Sequence, residues 1–152
     1  MTAPANAPSV RVRPATLADI ASMAELSGQL GYPSTPQQVE ARLRRIGGDA
    51  EHAAFVAELP NGKIAGWIHL FVMQTIESDP RVEVAGLVVD ENFRSQGAGR
   101  LLLERAEHWT RERGLREVGL RSNVIRERAH AFYERQGYRV IKKQKSFRKI
   151  LE

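Results

Sequence analysis

Residues 82–102 read VEVAGLVVDENFRSQGAGRLL. The apolar run from Val82 to Val89 holds a single charge, Glu83. It ends at Asp90 in a corner that carries two glycines, Gly97 and Gly99, and two arginines, Arg94 and Arg100. An apolar run of that length bounded by turn residues predicts a buried strand. Beyond the corner, Leu102, Leu103, Ala106 and Trp109 recur at helical spacing, and Gly114 supplies a C-terminal stop. Val118-Gly119-Leu120 then reads as a short strand. The unit is therefore βαβ, with the two strands parallel and joined by a right-handed crossover.

Upstream, Val10 to Arg13 predicts a first strand, and Thr16 to Asp19 has the form of a capping box in front of a helix. Gly31-Tyr32-Pro33 closes that helix. A second helix begins near Pro36, a first-turn proline, and runs to Gly47-Gly48. Ala53–Leu59 and Ile64–Met73 predict a β-hairpin across Asn61-Gly62. Downstream, Ile125, Ala129, Phe132 and Tyr133 mark an amphipathic helix ended by Gly137, and Tyr138 to Phe147 predicts a closing strand or hairpin. A hairpin beside a βαβ unit requires a mixed sheet.

The chain has 152 residues, within the usual size of one domain. Residues 1–8 read as a flexible lead and 9–152 as a single domain. No stretch approaches the ~18 consecutive apolar residues of a membrane span, and no apolar region follows the N-terminus to make a secretory signal. A cytoplasmic location fits. There is no cysteine, so disulfides, Cys-ligated zinc and a thiol nucleophile are excluded. The 23 basic and 18 acidic residues leave a net charge of +5, a field that favours anionic partners without defining a site. His52, His69, His108 and His130 show no metal-ligand spacing, so no metal is expected. His69 could line a cleft if its strand face is open. The lysine-rich stretch from Lys142 to Lys149 reads as a solvated face, and no nucleic acid or membrane is expected as a partner.

The glycines of the corner allow positive φ and close backbone approach. A helix start adds unpaired N–H groups and the positive end of a dipole. Together with Arg94 and Arg100 they suit a phosphate or pyrophosphate. A Walker A loop needs Gly-Lys-Ser/Thr, whereas Gly99 is followed by Arg100-Leu101. A dinucleotide fingerprint needs a third glycine where Leu102 stands, and a first βα turn where a hairpin precedes this one. The residues alone leave open a tight turn flanked by solvated arginines.

The stretch Val89 to Leu102 resembles the acetyl-CoA signature of the GNAT N-acetyltransferase family: Arg or Gln, two residues, Gly, one residue, Gly or Ala. Arg94, Gly97 and Gly99 match it. A second family signature is matched by Asn123, Phe132-Tyr133 and Gly137-Tyr138, and the element order agrees from residue 9 to about 149. The resemblance implies an α/β (α+β) GNAT fold: one mixed, mostly antiparallel sheet, flanked by helices, with a central parallel strand pair that splays. It implies acetyl-CoA as co-substrate, its pyrophosphate on Arg94, Ser95, Gln96, Gly97, Ala98, Gly99 and Arg100. The pantetheine arm would pair with backbone groups of Leu87, Val88 and Val89, and Asn123 and Tyr133 would complete the cofactor site.

The chemistry implied is acetyl transfer to a primary amine, in a ternary complex because no cysteine can carry the acyl group. An alkyl ammonium, with a pKa of about 10.4, must first lose a proton. Glu83 occupies the strand position of a catalytic glutamate in the histone-acetylating branch and is the expected base; solvation near a strand end is the competing reading. Tyr133 matches the tyrosine that many members use to protonate the leaving thiolate, against a plain core role. A backbone N–H near Leu87 would stabilise the developing oxyanion. Two other readings stay open: a non-catalytic CoA-binding sensor or scaffold of the same fold, and a basic nucleic-acid-associated protein. The acceptor would be a small-molecule or peptide amine met by the loops 28–37 and 74–80, where Glu77 and Asp79 could draw a cation. A homodimer is also open.

Overall fold

The computed structural model describes residues 9–94 and 96–152. The lead expected over residues 1–8, and Ser95 of the glycine corner, lie outside the described residues. Two compact units are distinguished, one ending at Leu120 and the other spanning Arg121–Glu152, and each is taken by itself.

In the first unit the chain runs β1 (Arg11–Pro14), a 3-10 turn (Leu17–Asp19), α1 (Ile20–Leu30), α2 (Pro36–Gly47), β2 (His52–Glu58) and β3 (Ile64–Met73). It continues through β4 (Arg81–Val89), a second 3-10 turn (Glu91–Phe93), α3 (Ala98–Glu112) and β5 (Val118–Leu120). The strands pair in chain order, antiparallel from β1 to β4 and parallel between β4 and β5. The mixed sheet is as the sequence predicts.

Local chemistry sets the starts and stops. Thr16 and Asp19 form the expected capping box, the Asp19 carboxylate accepting from the Thr16 N–H at 2.8 Å. Thr35 and Gln38 form another ahead of Pro36. Arg13 of β1 grips Asp19 with two hydrogen bonds (2.8 and 2.9 Å) and reaches Glu58 of β2 at 3.1 Å, tying the helix entry to the sheet. The β2–β3 connection turns at Gly62, whose φ of 87° only glycine adopts without strain.

The sheet separates two helical layers. Ile20, Met23, Ala24 and Leu26 of α1 and Val39 of α2 pack with Val56, Ile64 and Val88, and Trp67 closes this cluster, its indole N–H donating to the Met23 carbonyl at 3.2 Å. On the other face Leu102, Leu103 and Ala106 of α3 are fully buried. There Gly66 permits contact: a Cβ at that position would stand 2.6 Å from the Val88 carbonyl oxygen and 3.3 Å from Leu102.

In the second unit the chain forms α4 (Glu127–Arg135), stopped by Gly137 at φ 92°. The strand or hairpin expected over Tyr138–Phe147 is absent: no regular element follows α4 among the described residues, and Val140, Ile141 and Phe147 are exposed. Alternation gives a segment a tendency to extend, but a strand requires a ladder partner. The parallel pair therefore stands at the β5 end of the described strand order.

Candidate functional site

β4 outlasts its parallel partner. The β4–β5 ladder spans three rungs, from Val82↔Val118 to Val84↔Leu120. β4 continues to Val89 against β3 alone. Leu87, Val88 and Val89 thus lie past the last parallel rung, on an edge that no strand covers among the described residues. A bulge marks the transition: Leu70 pairs with Val84 and His69 with Gly86, so Ala85 has no partner on β3, and it is exposed. Free backbone amides and carbonyls along such an edge suit an extended ligand bearing amides of its own.

At the end of that strand the buried Asp90 accepts from the Asn92 N–H at 3.0 Å and shapes the second 3-10 turn. Lys63 lies 5.0 Å above the Phe93 ring. Gly97 then takes φ 85° as the N-cap of α3, and Ala98 and Gly99 are the first helical residues. The helix starts ahead of its first leucines, because a left-handed glycine cap needs no side chain. The first N–H groups of a 15-residue helix open there. Arg94 and Gln96 are exposed beside them. Arg100 lies in the first turn and pairs with Glu104 at 2.7 Å, an exposed i,i+4 contact weak enough for a diphosphate to displace. These residues fit the diphosphate expected of the loop.

Glu83 is on the α1/α2 face of the sheet and is only 7 % exposed, so it is not a solvated strand end. It stands opposite Phe71 on β3 and Gly119 on β5. Arg81 Nε donates to its Oε2 at 3.2 Å. Gly119 makes room for the carboxylate: a Cβ there would come 2.5 Å from Oε2. The neighbouring rows carry an arrangement that sequence reasoning missed. His52 Nδ1 and His69 Nε2 lie 2.9 Å apart, the two rings stack at 5.2 Å, and Phe71 stacks on His52 at 5.7 Å. Burial, with the charge of His52, lowers the His69 pKa to about 4. The two histidines are 17 residues apart, and only the hairpin register, with its irregularity near Glu58, makes them neighbours. Counting outward from Asn61-Gly62 was the one signal available.

In the second unit, Tyr133 lies half-buried on α4, its ring 5.4 Å from Phe132 and 6.4 Å from Tyr138. Burial raises its pKa against a lowering influence of Arg126, so the phenol keeps its proton at neutral pH. The Asn123 side chain is exposed and accepts from the Ile125 N–H at 3.2 Å, shaping the turn into α4. Exposed Glu77 and Asp79 sit on the β3–β4 connection.

The model of the Acetyltransferase (GNAT) family matches residues 18–138. The chain is 34 % identical to an aminoglycoside N(6')-acetyltransferase type 1 of Stenotrophomonas maltophilia, over 97 % of each chain. It is 36 % identical to an aminoalkylphosphonate N-acetyltransferase of Salmonella typhimurium over 59 % of this chain and 56 % of that one. Among solved structures, the aminoglycoside 6'-N-acetyltransferase AAC(6')-Ih of Acinetobacter baumannii superposes with a TM-score of 0.83, covering 95 % of this chain and all of its own, at 14 % identity.

Proposed function

The chain belongs to the GNAT acetyltransferase family, and from that membership we propose that it transfers an acetyl group from acetyl-CoA directly to a primary amine of a cationic small molecule, of the amino-sugar kind. The observation that carries the reading is the position of β4 relative to the Gly97 cap: a strand edge that no strand covers beyond Val84 among the described residues ends near the loop expected to hold a diphosphate. The amino-sugar class rests on the match to the Stenotrophomonas maltophilia enzyme over nearly the whole of both chains. A buried carboxylate at Glu83 and the acidic Glu77 and Asp79 suit an ammonium acceptor.

Bound acetyl-CoA would supply the acetyl group as an activated thioester. Backbone groups of Leu87, Val88 and Val89 would hold its pantetheine arm. The loop from Arg94 through Ser95, Gln96, Gly97, Ala98 and Gly99 to Arg100 would hold its diphosphate. Glu83 would attract the acceptor ammonium and orient its nitrogen, with Arg81 Nε donating to its Oε2. Through its match to the family's second signature, Tyr133 would donate a proton to the departing thiolate. Asn123 and Tyr133 enter through their match to the family's second signature. Orientation of the two substrates supplies much of the acceleration.

The test is a panel of amines with acetyl-CoA, read as release of free thiol: an aminoglycoside, a linear polyamine, an aminoalkylphosphonate and a peptide with a free N-terminus. Release with the aminoglycoside above the others is expected. Binding of acetyl-CoA with no release for any amine would replace the enzyme by a CoA-holding protein.

A further inference from the structure

Acetyl transfer to an ammonium leaves one proton to dispose of, and the sheet carries a pair of imidazoles suited to it. Two adjacent rows cross the α1/α2 face. One contains His52, Phe71, Glu83 and Gly119, the other Ala54, His69 and Gly86. Alternation along β3 places His69 and Phe71 on the same side as Trp67, and Phe71 faces Glu83 directly. His69 is therefore one row from the buried carboxylate, opposite a glycine and beside the bulge at Ala85.

The contact between His52 Nδ1 and His69 Nε2, at 2.9 Å, holds one proton: one nitrogen donates and the other accepts. With Nε2 so engaged, Nδ1 is the ring nitrogen of His69 left for chemistry. At the far end, His52 Nε2 is 3.9 Å from Asp49 Oδ2. His52 also lines an open groove of about 560 Å³ between α2 and the end of β2, shared with Leu43, Arg44 and Ile46. The pair thus joins the neighbourhood of Glu83 to solvent.

On the acetyl-transfer reading, we propose that His69 and His52 form a proton wire: His69 accepts the proton of the acceptor ammonium, and His52 delivers it to the α2 groove. The N–H bond of the ammonium breaks as a bond to His69 Nδ1 forms. The Nε2 proton of His69 passes to His52 Nδ1, and His52 gives its Nε2 proton to water in the groove. Once product has left, His69 loses its Nδ1 proton to water, the shared proton returns from His52 Nδ1 to His69 Nε2, and His52 takes up a proton from water at Nε2, so the pair is reset with one proton released per turnover.

The surroundings fit those steps. Burial lowers the His69 pKa to about 4, so the ring is neutral at working pH and its Nδ1 is open to a proton. The proton it collects passes on toward His52, whose Nε2 is 3.9 Å from Asp49 Oδ2. The other charged groups about the pair are Arg44 on the groove wall and Glu83 with Arg81 on β4. Glu83 holds the cation while the imidazole takes the proton, so attraction and deprotonation fall to different groups.

The experiment compares the wild-type protein with His69→Gln and His52→Gln at saturating acetyl-CoA and acceptor across the pH range. His69→Gln should lower kcat by roughly 10²–10⁴ and abolish its acid limb, with the acceptor KM and the acetyl-CoA thermal shift unchanged. Added imidazole should restore part of the lost rate, which a packing role would not allow. His52→Gln should move the acid limb, because it removes the ring that holds a proton in common with His69 Nε2. Wild-type kcat and acid limb in a folded His69→Gln variant would overturn the wire. ¹⁵N NMR of labelled histidine in the wild-type protein should show His69 neutral to about pH 4; two rings titrating independently near the usual value of about 6.5 would also overturn it. Loss of thiol release with every amine in the wild-type protein would instead overturn the acetyl-transfer reading, and the wire with it.

Discussion

Replacing Gly97 by Val tests the diphosphate cradle, and the fold contains its own control. Gly97 and Gly62 have nearly the same φ, 85° and 87°. Neither is crowded: a Cβ at Gly97 would meet only Arg100 Nη2 at 3.8 Å, and one at Gly62 would meet nothing within 4 Å. The folding cost of a side chain is then the backbone cost alone, about 1–2 kcal/mol for a left-handed residue and at the upper end for a β-branched one. At about 2–4 °C per kcal/mol for a chain of this size, Gly97→Val and Gly62→Val should each melt roughly 2–8 °C below the wild-type protein. Their responses to ligand should part. Acetyl-CoA at 100 times its Kd stabilises a native-state binder by about 2.7 kcal/mol. Wild-type and Gly62→Val should therefore each gain roughly 5–11 °C. Gly97→Val, with its cradle distorted, should gain close to nothing. Thermal unfolding followed by circular dichroism, with and without acetyl-CoA, reads both effects. A Gly97→Val protein that keeps the full ligand shift would refute the placement of the diphosphate; equal loss of the shift in both variants would refute the claim that the loop conformation matters.

Three further outcomes are expected. Tyr133→Phe should lower turnover by roughly 10²–10⁴ while acetyl-CoA binding holds. Because burial raises its pKa, the unfolded chain ionises first, so stability is full below about pH 10 and declines as pH rises through the folded value; calorimetry of Tyr133→Phe should show that decline removed. Gly119→Ala should leave the melting temperature within a few degrees, since the atom it meets is the end of the flexible Glu83 side chain, yet raise the acceptor KM by moving the carboxylate, as steady-state kinetics would show. His69 is neutral when folded and charges more readily when unfolded, so its contribution is present above about pH 6.5 and is lost as pH falls through about 4; melting curves over that window should be flatter for His69→Gln.

Most of the fold was legible as local chemistry. Capping boxes, Pro36, Asn61-Gly62 and the change from helical to alternating spacing each act within a few residues, so they locate the elements of the first unit before any tertiary contact is known. The start of α3 was legible for the same reason: a left-handed glycine ahead of a leucine-spaced helix marks a helix N-terminus whatever packs around it. What the sequence could not decide depends on pairing. Whether Tyr138–Phe147 forms a strand depends on a ladder partner, and no periodicity supplies one. The three-rung limit of the β4–β5 ladder and the bulge at Ala85 are settled by how β4 packs between two neighbours of different length. Burial of Glu83 under the space left by Gly119, and the meeting of His52 with His69, arise only when strands distant in sequence are brought into register. A one-residue slip would send each side chain to the other face. The sequence by itself determined which residues could do this chemistry; the tertiary structure decided which of them stand together, because hydrogen-bonded register, unlike helix capping, is a property of two segments at once.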